Sequence, residues 1–477
     1  MAKREDAEKR VSPEKGEKET MGSLVATGRR SQGESAESVS ARAAVRRVEH
    51  TLDPVYDGRS EVLVLGTMPS PKSREIGFYY GHPQNRFWRV LAALFDEPVP
   101  ETNEERVDLL LRHHIALWDV LASCDIEGAS DASIANAVPN DLSRVIGNAP
   151  IKQVFCTGAT AGRLYGKLCE EATGMPAVKL PSTSPANAAW SLERLVEAYG
   201  PVAEAVTPSE PPTLNVSDVV ALEQEIARRG TSLDALMRRA GRFLAYEARK
   251  FLEARSQEVC RASVPRIVIL CGNGNNGGDG WVAGEYLDTW GIPVCLVTAK
   301  APEELSAEPA RTAALRACAA LGKRSQVVVA PTAEELRALL GLEGEGVGDG
   351  SDSSNAAVPS TGTAPAAAKG QRSAPQPAMP LVIDALLGTG FAHDTVRDPF
   401  DEWVRAANEA HRRGAIVVAA DVPSGLSAQT GIPAADTVQA DVTVTMIVSK
   451  PGLEQPEASS FCGRIIVAPI ADVEPLV

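Results

Sequence analysis

Short, unbroken apolar runs recur along this chain, and several stop at a glycine or an aspartate. They read EVLVLG (61–66), IALWDVL (115–121) and KQVFCTG (152–158), then RIVILCG (266–272), PVCLVTA (293–299), QVVVA (326–330), PLVIDALLG (380–388), IVVAADVP (416–423) and VTVTMIV (442–448). Polar residues do not alternate within them, so each strand has to be buried on both faces, as in parallel sheets covered by helices. Helical patterns fall between them, near 86–95, 104–113, 159–172 and 189–199 in the first block and between most strands of the second. The expected fold class is α/β, as two separate three-layer α/β/α domains with mainly parallel sheets. In such sheets ligands collect outside the carboxyl ends of the strands.

The remaining stretches set the domain organisation. Residues 1–50 are polar, rich in Ser, Glu and Arg, and read as a disordered tail in which Met21 offers an alternative start. A first domain is expected over 51–205, a Pro-rich linker over 206–212, and a second domain over 213–477 with a low-complexity insertion at 343–380. The linker suggests two independent domains. No apolar run approaches the ~18–20 residues that span a bilayer, which excludes a membrane protein. The eight cysteines include no CxxC pair, so a zinc ribbon, an iron–sulfur site and a disulfide scaffold are not signalled. Reduced core thiols and a cytoplasmic location are expected instead. The net charge of −14 argues against a protein that coats nucleic acid, though not against one that touches it locally.

In the first block a strand ends at Gly66 and a Pro/Ser turn follows. Next come the aromatic cluster Phe78-Tyr79-Tyr80 and the segment Gly81-His82-Pro83-Gln84-Asn85. A second segment, LPSTSPANAAW (180–190), leaves another strand through Ser and Pro into a helix. Strand ends of this composition suit close approach to a phosphate backbone, and flat aromatics suit stacking on an extruded base. Asn85 both donates and accepts hydrogen bonds, so it can orient a water against a sugar C1′. Taken singly, the aromatics read as core, the HPQN segment as a turn and helix cap, and His82 as a hydrogen-bonded turn residue. The motifs GTMPS, FYYGHPQNRFW, ALWDVL and STSPAN, in this order, resemble the uracil-DNA glycosylase superfamily over roughly 55–200. The match is nearest its hypoxanthine-type branch of DNA-deoxyinosine glycosylases. Thr67 and Met68 stand where the superfamily often places its catalytic acid or Asn, so the resemblance moves that role to Asn85. Ser182-Thr183-Ser184-Pro185 replaces a His-containing motif and moves specificity away from uracil. Tyr79, Tyr80, Ser184 and Asn187 become the base- and DNA-contacting candidates, with Arg74, Arg86 and Arg89 as a local basic rim. Between 51 and 205 there are 13 Lys+Arg against 20 Asp+Glu, which is the main physical objection to a DNA-binding role.

In the second block RIVILCGNGNNGGDGWVAGEYL (266–287) reads as strand, Gly-rich turn and helix, a turn whose backbone amides can face a phosphate. It is neither a Walker loop nor a GxGxxG motif with an acidic ribose partner. Asp384 opens DALLGTG and Asp421 opens DVPSG, each directly after an apolar strand. With Asn275 and Asn276 in the turn, oxygen-bearing groups from three strand ends converge, as a hard cation or a nucleotide with ordered water requires. Lys450 reads as a solvated strand-end lysine.

NVSDVVALEQEIARRGTSLDALMRRAG (215–241), GNGNNGGDG, DALLGTGF, DVPSG and ADVTVTMIVSKPGL (440–453) together resemble NAD(P)H-hydrate epimerase, the YjeF N-terminal domain family, with a Rossmann-like fold. The resemblance implies substrate contacts at Asn275, Asn276, Gly277, Gly278 and Asp279 and at Gly388, Thr389, Gly390, Phe391, Ala392, His393 and Asp394. It implies a potassium ion held by Asn276, Asp384 and Ser424, and polar or acid–base contact from Asp421. The first domain has no implied cofactor. The functional expectation is a bifunctional repair enzyme that epimerises the R and S forms of hydrated NADH and NADPH and removes a deaminated base, hypoxanthine first, from DNA. The alternative is an epimerase carrying a non-catalytic glycosylase-like binding module. Expected partners are NAD(P)HX, damaged DNA and a separate NAD(P)HX dehydratase, with no membrane; a homodimer is also allowed.

Overall fold

The computed structural model describes residues 45–476 except 128–130, 209, 259–265 and 344–378. Most of the expected tail and insertion therefore lies outside the described residues. The tail's inner boundary is corrected, because Val45–Glu49 forms a strand and His50 packs behind it.

The first half contains β1 (Val45–Glu49), β2 (Val62–Gly66), β3 (Ile115–Asp119), β4 (Leu121–Glu127), β5 (Ala135–Pro139), β6 (Gln153–Thr157) and β7 (Ala177–Leu180). Four of these form a parallel sheet in the order β3-β2-β6-β7; β2, β3 and β6 fall in the apolar runs, and β7, half exposed, is the strand that LPSTSPANAAW leaves. Every residue of β2 and β3 is buried. The other three form an antiparallel sheet, β1-β4-β5. That sheet is absent from the sequence reading because LASCDIE and ANAVP carry polar residues and half-exposed positions.

The second half is a seven-stranded, wholly parallel sheet in the order β10-β9-β8-β11-β12-β13-β14. Its strands are β8 (Ile267–Cys271), β9 (Val294–Thr298), β10 (Gln326–Val329), β11 (Leu381–Ala385), β12 (Ile416–Ala420), β13 (Val442–Met446) and β14 (Arg464–Ala468). Alternate residues of β8 enter different cores. Ile267 and Ile269 join Trp281, Leu244 and Ala313 on one face, while Val268 and Leu270 join Trp403 and Leu336 on the other. The strand order reverses between β8 and β11, which opens a crevice at their carboxyl ends.

The two halves are not independent. Helix Leu233–Glu258 of the second half lies against helix Asn103–Arg112 of the first through charged pairs. Arg242 donates to Glu105 Oε2 at 2.8 Å and pairs with Glu101 at 3.4 Å. Arg239 pairs with Asp108 at 3.6 Å and donates to the Ile470 carbonyl at 3.0 Å. Lys250 Nζ lies 2.6 Å from Asp96, and Arg59 bridges back to Asp472 at 2.6 Å. Arg239 and Arg242 are each only 7% exposed. These contacts answer part of the charge objection, since Asp96, Glu101, Glu105 and Asp108 face cations of the same chain rather than DNA.

Leaving one side of a buried ion pair unpaired costs about 3–5 kcal/mol. The wild-type chain is therefore expected to unfold in one calorimetric transition. The double variant Arg239→Ala/Arg242→Ala should split it into two. A single transition at an unchanged temperature in the variant contradicts this coupling.

Candidate functional site

In the second half the Gly-rich turn and two strand ends meet at the sheet's reversal point. Gly272 follows β8, and any side chain there would overlap the Leu386 carbonyl after β11. Helix Asn275–Thr289 starts from Gly274. A Cβ on Gly277 would overlap the Gly272 carbonyl oxygen, and one on Gly280 would press on Ala385 at 2.8 Å. These glycines let the helix sit against the strand ends with its amino end open to the crevice, the arrangement that favours anions.

Behind this turn Asp384 is fully buried. Its Oδ2 accepts from the Ser424 amide at 2.8 Å, and its Oδ1 accepts from Ser424 Oγ at 2.6 Å and the Leu386 amide at 3.3 Å. Burial pushes its carboxyl up to about 6, against the lowering effect of those hydrogen bonds. Ser424 Oγ also accepts from the Leu387 amide at 2.8 Å. Asn276 donates its Nδ2 to the Leu387 carbonyl at 2.9 Å, while its buried Oδ1 has no partner among the described residues. The structure thus brings Asn276, Asp384 and Ser424 to one peptide, Leu386–Gly388. An unpartnered buried carbonyl beside a buried carboxylate with only neutral donors fits a monovalent cation better than it fits an empty core. No cluster of three or more His, Cys, Asp or Glu suited to a metal occurs among the described residues, so any ion here would rest on mixed amide, hydroxyl and carboxylate oxygens.

In front of the turn is a cavity of about 850 Å³, the size of a nucleotide site. Asn275, Asn276, Asp279, Gly388, Thr389, Gly390, Phe391, His393, Asp421 and Lys450 all contribute to its wall. Gly277, Gly278, Ala392 and Asp394 do not. The first two serve the packing of the helix; Ala392 and Asp394 are exposed beside the cavity.

Asp421 sits in the left-handed region at φ 61°, a conformation a non-glycine residue adopts at some energetic cost. Its Oδ1 accepts from Lys450 Nζ at 2.6 Å, the Met446 amide at 3.2 Å and Thr445 Oγ1 at 3.3 Å. Lys450 is the main correction in this half. It is 1% exposed, not solvated, and its ammonium also donates to Thr445 Oγ1 and the Met446 carbonyl, both at 2.8 Å. Glu223, from helix Val216–Arg228, is a cavity residue that the sequence reading did not single out. Burial first, then the Asp421 charge, raises its carboxyl above the usual range. Burial likewise raises Asp279, helped by Asp421 and Glu223.

In the first half Asn85 heads helix Phe87–Leu94. Its Oδ1 accepts from the Phe87 amide at 3.0 Å and from Thr183 Oγ1 at 2.9 Å. Both lone pairs are engaged, so the amide offers an N–H donor and not a free acceptor. Any contact of Asn85 with a water or a base in this geometry would therefore run through Nδ2. Arg86 does not form a basic rim. Its guanidinium donates to the carbonyls of Trp190, Ser184 (2.8 Å) and Asn187 (3.0 Å), tying the HPQN segment to the STSPAN loop. Arg74 is similarly engaged with the Pro69 carbonyl, at 2.5 Å, while Arg89 is exposed.

Tyr79 is 3% exposed and donates to the Asp53 carbonyl at 2.8 Å, which makes it a core ring and not a stacking surface. Tyr80 stacks on Phe87 at 3.9 Å, with its hydroxyl 2.9 Å from Thr157 Oγ1. Ser184 and Asn187 bond mainly within their own loop, Asn187 Nδ2 reaching the Ser182 carbonyl at 2.9 Å.

Asp119 and His50 are residues that the sequence reading missed. Asp119 ends β3, is 4% exposed, and meets His50 Nε2 at 3.0 Å. Burial raises its carboxyl while His50 lowers it. The missed signal was an aspartate closing an apolar strand, the same pattern that marks Asp384 and Asp421.

Comparison with known proteins agrees with this two-part reading. The model of the uracil DNA glycosylase superfamily matches residues 54–201, and that of the YjeF-related protein N-terminus matches residues 233–452. The chain belongs to both families, to the first through its N-terminal half and to the second through its C-terminal half. Hypoxanthine DNA glycosylase from Methanosarcina acetivorans is 33% identical over 141 residues, 29% of this chain and 89% of that protein. NAD(P)H-hydrate epimerase from Pirellula staleyi is 31% identical over 248 residues, 52% of this chain and 87% of that protein. The bifunctional NAD(P)H-hydrate repair enzyme Nnr from Salinibacter ruber is 34% identical over 209 residues, 43% of this chain. The chain spans only 31% of the length of that last relative.

The packing of the turn generates a direct test. Gly277→Ala places a methyl group against the Gly272 backbone, which cannot yield as a side chain would. The variant is expected to lose about 1–3 kcal/mol of stability, the usual cost of overpacking. It should also bind NADP⁺, used as a probe, at least tenfold more weakly by calorimetry. Wild-type stability and affinity in this variant contradict the geometry.

Proposed function

We propose that the second half is an NAD(P)H-hydrate epimerase that interconverts the R and S forms of hydrated NADH and NADPH. The observation that supports it best is the cavity at the sheet's reversal point, which joins a helix amino terminus to the Asp421–Lys450 pair. The helix end suits the pyrophosphate, and the carboxylate suits proton movement at the hydrated ring. Asn276, Asp384 and Ser424 would hold a potassium ion, which would supply charge neutralisation. Lys450 donates to Asp421 Oδ1 and fixes the direction of the carboxyl group.

The same proposal assigns the first half to hydrolysis of the N-glycosidic bond of a deaminated base in DNA, with hypoxanthine as the first candidate. Asn85, with its oxygen engaged by Thr183 and Phe87, presents an amide donor that suits negative charge developing on a departing base. A separate dehydratase would consume one epimer downstream. A second reading keeps only the epimerase and makes the first half a binding module. The engaged Asn85 oxygen and the buried Tyr79 favour it.

Two assays test the halves separately. With mixed NADHX epimers and excess S-specific dehydratase, the chain is expected to accelerate the slow R fraction. Asp421→Asn should lower that rate by ~10²–10⁴-fold, and Asp384→Asn should abolish any dependence on KCl over LiCl. An R fraction that decays no faster with the chain present contradicts the epimerase. With duplexes carrying one deoxyinosine or deoxyuridine, alkali is expected to cleave at deoxyinosine after incubation with wild type and not with Asn85→Ala. Absence of cleavage by a folded, epimerase-active chain leaves the binding-module reading.

A further inference from the structure

The cavity contains more acid–base capacity than the residues assigned so far. Glu223 enters its wall from helix Val216–Arg228, an element separate from the Gly-rich turn and the strand ends. Its carboxyl makes no hydrogen bond or ion pair with any other described residue, although it is only partly exposed. It shares the cavity with Asp279 from helix Asn275–Thr289, Asp421 after β12 and Lys450 after β13. His393, Arg397 and Asp398 also line the cavity. Lys450 is already committed to Asp421 through a 2.6 Å contact and to two further acceptors, so it has no donor left for Glu223. Glu223, Asp279 and Asp421 therefore share one fully engaged ammonium, apart from Arg397 and Asp398 elsewhere on the wall, and repulsion opposes the ionisation of all three together.

We propose that Glu223 is a second catalytic acid–base residue of the epimerase, paired with Asp421. The inference rests on the epimerase reading above. Inverting a carbon that bears a hydroxyl needs proton handling as one hydroxyl departs and as another arrives. In a hydrated dihydronicotinamide the hydroxyl-bearing carbon is bonded to the ring nitrogen. The C–O bond breaks with its electron pair on oxygen, and the nitrogen lone pair forms the C=N bond of a ring cation. A proton from Glu223 turns the leaving group into water. A water then adds to the opposite face, the C=N electrons return to nitrogen, and the proton released goes to Asp421. One water leaves and one enters, one proton is given and one is taken, and nothing is oxidised or reduced. The reverse epimerisation exchanges the two roles. Burial and the Asp421 charge both favour the protonated form of Glu223 that the first step uses.

Glu223→Gln tests this with the full-length chain in KCl. The expected result is a ~10²–10³-fold fall in kcat for interconversion of purified epimers. Affinity for NADP⁺, used as a binding probe, should stay within about twofold. The pH–rate profile should lose its alkaline limb, since the wild-type rate falls as pH rises and Glu223 gives up its proton. Glu223→Asp should recover part of the rate, and it replaces the first variant if Gln impairs folding. A Gln variant with wild-type kcat and pH profile overturns the proposal while leaving the epimerase intact. A wild-type chain that does not interconvert the epimers overturns the epimerase reading itself, and this inference with it.

Discussion

A buried carboxyl group with only neutral donors among the described residues, that of Asp384, holds the second half's site together. Asp384 is the penultimate residue of β11, next to the point where the strand order reverses, and Ser424 binds both its oxygens. That pair links the loop after β11 to the loop after β12. The Leu387 peptide, held by Ser424 Oγ, extends the link to Asn276 in the Gly-rich turn. Asp421 lies three residues before Ser424 and inherits its position from the same link. A buried charge is costly unless it is neutralised by a proton or a cation. The architecture therefore asks for an ion or a proton at a place from which the positions of the turn, the Asp421–Lys450 pair and the cavity all follow.

The two halves relate differently from what their separate ancestries suggest. Helix Leu233–Glu258 lines the cavity with Leu236, Met237 and Ala240 and holds the first half with Arg239 and Arg242. Ile470 also does both, lining the cavity and accepting from Arg239. One helix thus presents one set of side chains to a small-molecule site and another to the neighbouring half. The acidic composition of the first half has a structural use in this arrangement, as the complement to those cations.

Much of this was legible in the sequence because parallel strands buried on both faces leave an unmistakable apolar record, and strand ends concentrate the chemistry. Asp384, Asp421 and the NNGGDG turn were found for that reason. Other features depended on partners distant in sequence. Nothing local says that Lys450 folds back onto Asp421, that Arg86 turns inward to clamp loop carbonyls, or that Thr183 fills the oxygen of Asn85. Tyr79 and Tyr80 are adjacent and chemically alike, yet one lies wholly in the core and the other stands at the end of β6. The β1-β4-β5 sheet escaped because its strands are polar on an exposed side, and a run such as LASCDIE does not distinguish strand from loop. Glu223 escaped because it lies among several acidic residues of a helix, and nothing local says which of them turns into the cavity.

The most direct measurement is a crystal structure of the chain with NADPH hydrate in the presence of potassium chloride. The account predicts the pyrophosphate at the amino end of helix Asn275–Thr289 and the hydrated ring between Glu223 and Asp421, with its hydroxyl within hydrogen-bond distance of one of them. A dinucleotide bound elsewhere, or one seated in the cavity with its ring turned away from both carboxyl groups, would contradict it.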